Sequence, residues 1–134
     1  MGAAVNVEQI VAAGRAEAEA LMVDSCLIGR QVGEVTDVDG NVTPTYQTVY
    51  EGRCKVQQTI AQSANPEAGN YQFTVQDLRL DVPVSAGPLR VDDTVTITAA
   101  SLDPQLAGSV FRVVELFRKS MATAQRTRIE WGSG

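Results

Sequence analysis

Residues 93–99 read DTVTITA. Val95, Ile97 and Ala99 fall on one parity, and Thr94, Thr96 and Thr98 on the other. Successive side chains of a strand point to opposite faces, so this alternation predicts a strand with one face in a core and one in water. Gly87-Pro88 before it, and Asp103-Pro104 with Gly108 after it, punctuate the chain as turns. The next run, Val110–Phe117 (VFRVVELF), is apolar on both parities and predicts a strand covered on both faces. Gln125–Trp131 (QRTRIEW) alternates again, with Thr127, Ile129 and Trp131 inward and Arg126, Arg128 and Glu130 outward. Upstream, Gln72–Val84 carries Phe73 and Val75 on one parity but Leu78, Leu80, Val82 and Val84 on the other. A switch of parity within one strand predicts a bulge near Gln76-Asp77. Val95, Ile97, Leu80, Val82, Val113, Ile129 and Trp131 are then expected to share a core.

Further outward lie a short strand over Cys26–Arg30 and a returning strand over Tyr46–Gln58. Between them Gly33–Thr45 holds turn chemistry centred on Asp39-Gly40, a pair suited to tight hairpins because both positions tolerate positive φ. Thr59–Tyr71, rich in Ser, Asn, Pro and Gly, reads as a loop. Helix signals occur only near the start. Asn6 suits an N-cap, with Gln9 three residues on. Val7, Ile10, Val11, Gly14, Ala18, Leu21 and Met22 recur at helical spacing and predict a helix from about Val7 to Met22, packed on the barrel or on a neighbouring subunit. The expectation is a mainly β fold, a small antiparallel β-barrel of about six strands with one N-terminal α-helix. Residues 1–23 form the N-terminal arm and helix. Residues 24–134 form the barrel domain, with long loops 33–45 and 59–71. Closure would remove edge strands.

A chain of 134 residues with 44% apolar residues suits one domain with one core. Residues 1–109 carry 6 basic and 14 acidic side chains, a balance of −8, whereas residues 110–134 carry 5 basic and 2 acidic ones, a balance of +3. This split is either ordinary sheet-surface charge or the mark of a bipolar subunit, whose Arg118, Lys119, Arg126 and Arg128 would meet an acidic neighbour. Overall acidity argues against tight nucleic-acid binding. The absence of histidine removes the commonest general base and most transition-metal sites. Asp37, Asp39 and Asn41 alternate like the start of a calcium loop, but the glycine and distal glutamate that such a loop needs are missing. Asp92-Asp93 reads as a turn before a strand. Cys26 and Cys54 are either two buried apolar residues or, given a one-residue bulge in the hairpin, a disulfide. Phosphate loops, CxxC pairs and aromatic-basic patches are missing, so neither an enzyme nor a cofactor is expected. No apolar run approaches a membrane span and the start does not read as a secretory signal, so a protein made in the cytoplasm is expected.

Four stretches carry a family resemblance: Arg15–Cys26 (RAEAEALMVDSC), Pro44–Val56 (PTYQTVYEGRCKV), Leu80–Ile97 (LDVPVSAGPLRVDDTVTI) and Lys119–Arg126 (KSMATAQR). In order and spacing the chain, from about Arg15 to Trp131, resembles the head-to-tail stopper, or head-completion, proteins in the neck of long-tailed bacteriophages that infect actinobacteria. The resemblance implies a structural protein of the virion, assembled in the host cytoplasm. It would be a ring of copies between the portal and adaptor on one side and the tail terminator or tail tube on the other. Such a ring extends the DNA channel, retains the packaged genome and docks the tail, touching DNA only transiently and non-specifically. Under this reading the loop with Thr59, Gln62, Ser63, Asn65, Pro66, Gly69, Asn70 and Tyr71 is the candidate for the channel gate. The hairpin with Asp37, Asp39, Gly40 and Asn41 is the candidate for docking on a neighbouring ring. A tail terminator is the alternative within the same class. A monomeric barrel binding a small ligand is the alternative outside it, and it would need an apolar pocket with a few convergent polar groups.

Overall fold

A computed structural model describes residues 6–64 and 72–132. The elements are α1 (Val7–Ala20), β1 (Asp24–Thr36), β2 (Val42–Ala64), β3 (Gln72–Val82), β4 (Thr94–Ala99), β5 (Val110–Phe117) and β6 (Gln125–Trp131). All neighbouring strands pair antiparallel, and they close into a barrel in the order β1-β2-β3-β6-β5-β4. Alternation on each strand turns one parity inward. Cys26, Ile28, Cys54, Leu80, Val82, Val95, Ile97, Phe111, Val113 and Ile129 fill the interior, each at most 2% exposed. Each such side chain contributes roughly 1.5–3 kcal/mol when taken out of water. Leu89, from the segment between β3 and β4, joins the same cluster and is fully buried.

Six of the seven expected core residues lie in this cluster; Trp131 does not. It is 67% exposed and rests its ring on Phe111, 4.5 Å between centroids. Trp131 is the last residue of β6, where the barrel runs out. Ala99 is likewise exposed at the end of β4. Its neighbour across the sheet explains this, because the β1–β4 register slips between Ser25 and Cys26, just where Ala99 would face inward.

The parity switch in β3 is not a bulge. The β2–β3 ladder runs unbroken from Lys55↔Asp81 to Ala64↔Gln72. β3 has a second partner, β6, only over Leu78–Val82. Residues 72–77 pair with β2 alone, so the inward parity set by the barrel ends at Leu78. A bulge lies instead in β5, between Val113 and Glu115. It shifts the inward parity from Phe111 and Val113 to Leu116, which accounts for a run apolar on both parities. β5 is therefore covered on one face only, and Phe117 is 42% exposed.

Both predicted loops are mostly strand. Residues 33–36 and 42–45 extend the β1–β2 ladder, leaving only 37–41 as the turn. Thr59–Ala64 belongs to β2, and residues 65–71 lie outside the described residues. The β1–β2 hairpin turns through five residues, and two register shifts, at Gln31/Gly33 and Ile28/Gly29, cancel, so Cys26 opposes Gly52 and Cys54 opposes Asp24. The cysteines are two free, fully buried thiols. A hydrogen bond with Cys26, aided by burial, pushes the Cys54 thiol far up.

α1 is capped as the sequence predicts, Asn6 Oδ1 accepting from Gln9 N at 3.2 Å. It ends at Ala20, two residues short of the prediction, and Met22 beyond it is buried. The helix buries no residue fully. It leans on the β5–β6 connection, where Arg15 Nε donates to the Ala122 carbonyl at 3.1 Å and Gly14 faces Thr123.

Candidate functional site

Two ribbons leave the barrel. β1 pairs β4 only up to Gly29, and beyond it β1 and β2 continue as a two-stranded arm to the turn at 37–41. β2 then runs through the barrel wall and forms a second arm with β3, over 59–64 and 72–77. Because β2 is one continuous strand joining both, the arms leave opposite ends of the barrel.

The tip of the first arm is set by Asp37. Its Oδ1 accepts from Asp39 N at 2.8 Å and Asn41 N at 2.9 Å, and Gly40 takes φ +84°. These bonds, that from Asn41 first, hold the carboxyl below its usual range. All four residues singled out in the sequence, Asp37, Asp39, Gly40 and Asn41, thus form one stiff acidic turn. Around it Val32, Val35, Val42 and Tyr46 are 49–58% exposed and Val38 is fully exposed. Of the second arm, Thr59, Gln62 and Ser63 lie on β2, paired with Asp77, Thr74 and Phe73. Asn65, Pro66, Gly69, Asn70 and Tyr71 lie outside the described residues.

The end of the barrel that bears the first arm is closed by residues 83–93. Arg30 forms a two-pronged pair with Asp93, Nε to Oδ1 at 2.8 Å and Nη2 to Oδ2 at 2.9 Å. Asp93 is 1% exposed and also accepts from Arg90 N at 2.8 Å. Gln125 holds the same segment from the other side, donating to the Gly87 carbonyl at 2.7 Å and accepting from Leu89 N at 2.9 Å. Two part-buried clamps thus flank Leu89 at the barrel mouth. Beside them lies an open groove of about 430 Å³ lined by Arg30, Tyr46, Asp92 and Arg112, among others. The Arg30–Asp93 clamp has no clear sequence signal: an Asp-Asp doublet before a strand looks like turn chemistry.

Residues 14–130 match the model of a family described as a family of unknown function, DUF6093. The chain belongs to the DUF6093 family. None of the curated proteins compared with it matches. In this DUF6093 protein the four basic candidates separate into two kinds. Arg126 faces the buried Asp81 at 3.7 Å, and Arg128 reaches Glu115 at 3.2 Å, Glu130 at 3.9 Å and Asp77 at 4.0 Å. Those two arginines are engaged within the sheet. Arg118 and Lys119 stand on the β5–β6 connection and line a groove of about 340 Å³ with Val84, Pro88 and Phe117. Burial raises the Asp81 carboxyl above its usual range, with Arg126 opposing the shift. Among the described residues of the DUF6093 chain no three carboxylates or thiols gather as a metal site. The arm is acidic and apolar, and the groove is basic and apolar.

Proposed function

We propose that this DUF6093 protein is a structural ring subunit of the phage neck, a head-to-tail stopper between the portal and adaptor side and the tail. The observation that carries this reading is the pair of long β-ribbons leaving opposite ends of a filled barrel. A ribbon of two strands is marginal in water by itself. Ribbons that extend beyond the core therefore call for neighbours, and arms at both ends suit a subunit held between two stacked partners. On this reading copies of the chain surround the DNA channel in the virion, and the β2–β3 arm is directed toward the channel. A tail terminator has the same needs and is the alternative within the class. A small-ligand barrel is disfavoured, because Phe111, Ile28, Leu80, Leu89 and Ile97 occupy the interior such a ligand would need.

Deleting the gene from the phage that encodes it is the test. The expected result is heads that fail to join tails and lose their DNA, with complete tails accumulating separately. Normal tailed particles from the deletion overturn the reading. Tails of aberrant length would favour the terminator.

A further inference from the structure

The β1–β2 arm carries Glu34, Asp37 and Asp39 and no basic residue between Gln31 and Tyr46. Its exposed valines make it apolar as well as acidic. Such a surface on a small domain marks a contact. The groove lined by Arg118 and Lys119 has the complementary character, with Val84, Pro88, Phe117 and Ala124 beside the two cations. A smaller groove of about 190 Å³ continues it past Arg79 and Arg126. Exposed Met121 stands next to it, at 62%.

The topology decides how the two can meet. In the closed order β1-β2-β3-β6-β5-β4, the β1–β2 pair lies directly across the barrel from the β6–β5 pair. The arm joins β1 to β2, and the connection bearing Arg118 and Lys119 joins β5 to β6. The two lie at the same end of the barrel. β1 runs toward this end from its pairing with β4, and β5, antiparallel to β4, also runs toward it. Within one chain the plug of residues 83–93 stands between them. In a second copy of the same orientation, the groove is presented level with the arm.

We infer that the β1–β2 arm of one copy seats in the groove between residues 84–88 and 117–125 of a second copy. The contact is heterologous, each subunit offering an arm on one side and a groove on the other, and contacts of that kind build a ring when the rotation between successive copies closes. The valines supply burial against Phe117 and Val84. The charges set approach and register. The inference deepens the neck reading by naming the contact that builds the ring.

Cysteine cross-linking of the purified chain tests it, since both native cysteines are buried. Val35→Cys and Met121→Cys chains are mixed at high concentration and mildly oxidised. A covalent dimer is expected from the mixture and not from either variant alone. Arg118→Glu with Lys119→Glu in the Met121→Cys chain should lower its yield by about tenfold or more. Glu34→Lys with Asp39→Lys in the Val35→Cys chain should restore it. No dimer above the single-variant level, or a yield indifferent to charge reversal, overturns the contact. The two readings fail separately. Rings seen by electron microscopy without the cross-link leave the neck reading standing. A cross-link in a protein whose gene deletion leaves normal particles sinks the neck reading and keeps the contact.

Discussion

Asp93 concentrates the stability of the barrel mouth in one side chain. It accepts both prongs of Arg30 and the Arg90 N–H while 1% exposed. Asp93→Ala should cost about 3 kcal/mol, because it strands a half-buried guanidinium as well as a backbone donor. Urea unfolding measures this, and a loss below about 1 kcal/mol would mean the clamp is solvated. Asp81 behaves in the opposite sense. Its folded carboxyl lies above the unfolded value; Oδ2 accepts from Gln57 Nε2 at 3.0 Å, and Oδ1 has no hydrogen-bond partner among the described residues. The folded state therefore holds this proton more tightly, and the side chain's contribution falls as pH rises through the carboxylate range. Asp81→Asn should gain on the wild type progressively across that range. Parallel stability curves against pH would refute the burial argument. Both carboxylates were hard to see in the sequence, because alternation reports which face a residue takes and not what covers it. Asp81 is on the outward parity of β3 and still only 4% exposed.

At the level of elements, periodicity was legible wherever a strand has the core on one side for its whole length. β4 and β6 follow that pattern to within a residue or two of their ends, and the capped start of α1 is read correctly from Asn6 and Gln9. It misled wherever a strand outlives the barrel. The polar, Gly- and Ser-containing stretches 33–45 and 59–64 looked like loops because they lie beyond the pairings that close the barrel, yet residues 33–36, 42–45 and 59–64 are paired strand. The position of the β5 bulge was likewise hidden, since a double apolar parity fits a doubly covered strand equally well. The helix shows a local conflict of a different kind. A Cβ on Gly14 would come within 2.8 Å of Thr123 Cγ2, although alanine would favour the helix by about 1 kcal/mol. Gly14→Ala alone should therefore fail to stabilise the protein, while Gly14→Ala with Thr123→Ser should recover most of that gain. Additive effects in this double-mutant cycle would show that α1 does not rest on the β5–β6 connection.

Over the whole molecule, the charge asymmetry of the sequence resolves into two populations with different energetic roles. Arg126 and Arg128 sit among Asp81, Asp77, Glu115 and Glu130, whereas Arg118 and Lys119 face an open groove. Arg118 and Lys119 are exposed, and exposed charges add little to stability. Arg118→Glu with Lys119→Glu should therefore leave the melting temperature nearly unchanged and act on association alone. Arg126→Glu with Arg128→Glu places two new carboxylates against four existing ones, one of them buried. Lost pairs and new repulsion should together cost about 2 kcal/mol, lowering the Tm by roughly 5–10 °C for a domain of this size. Thermal melts of the two double variants in low salt separate the cases, and added salt should narrow the gap between them because exposed pairs are screened. Equal melting temperatures would mean that the β3–β6–β5 face is free to meet a partner, and the basic surface of the ring would then extend across that sheet instead of being confined to the groove.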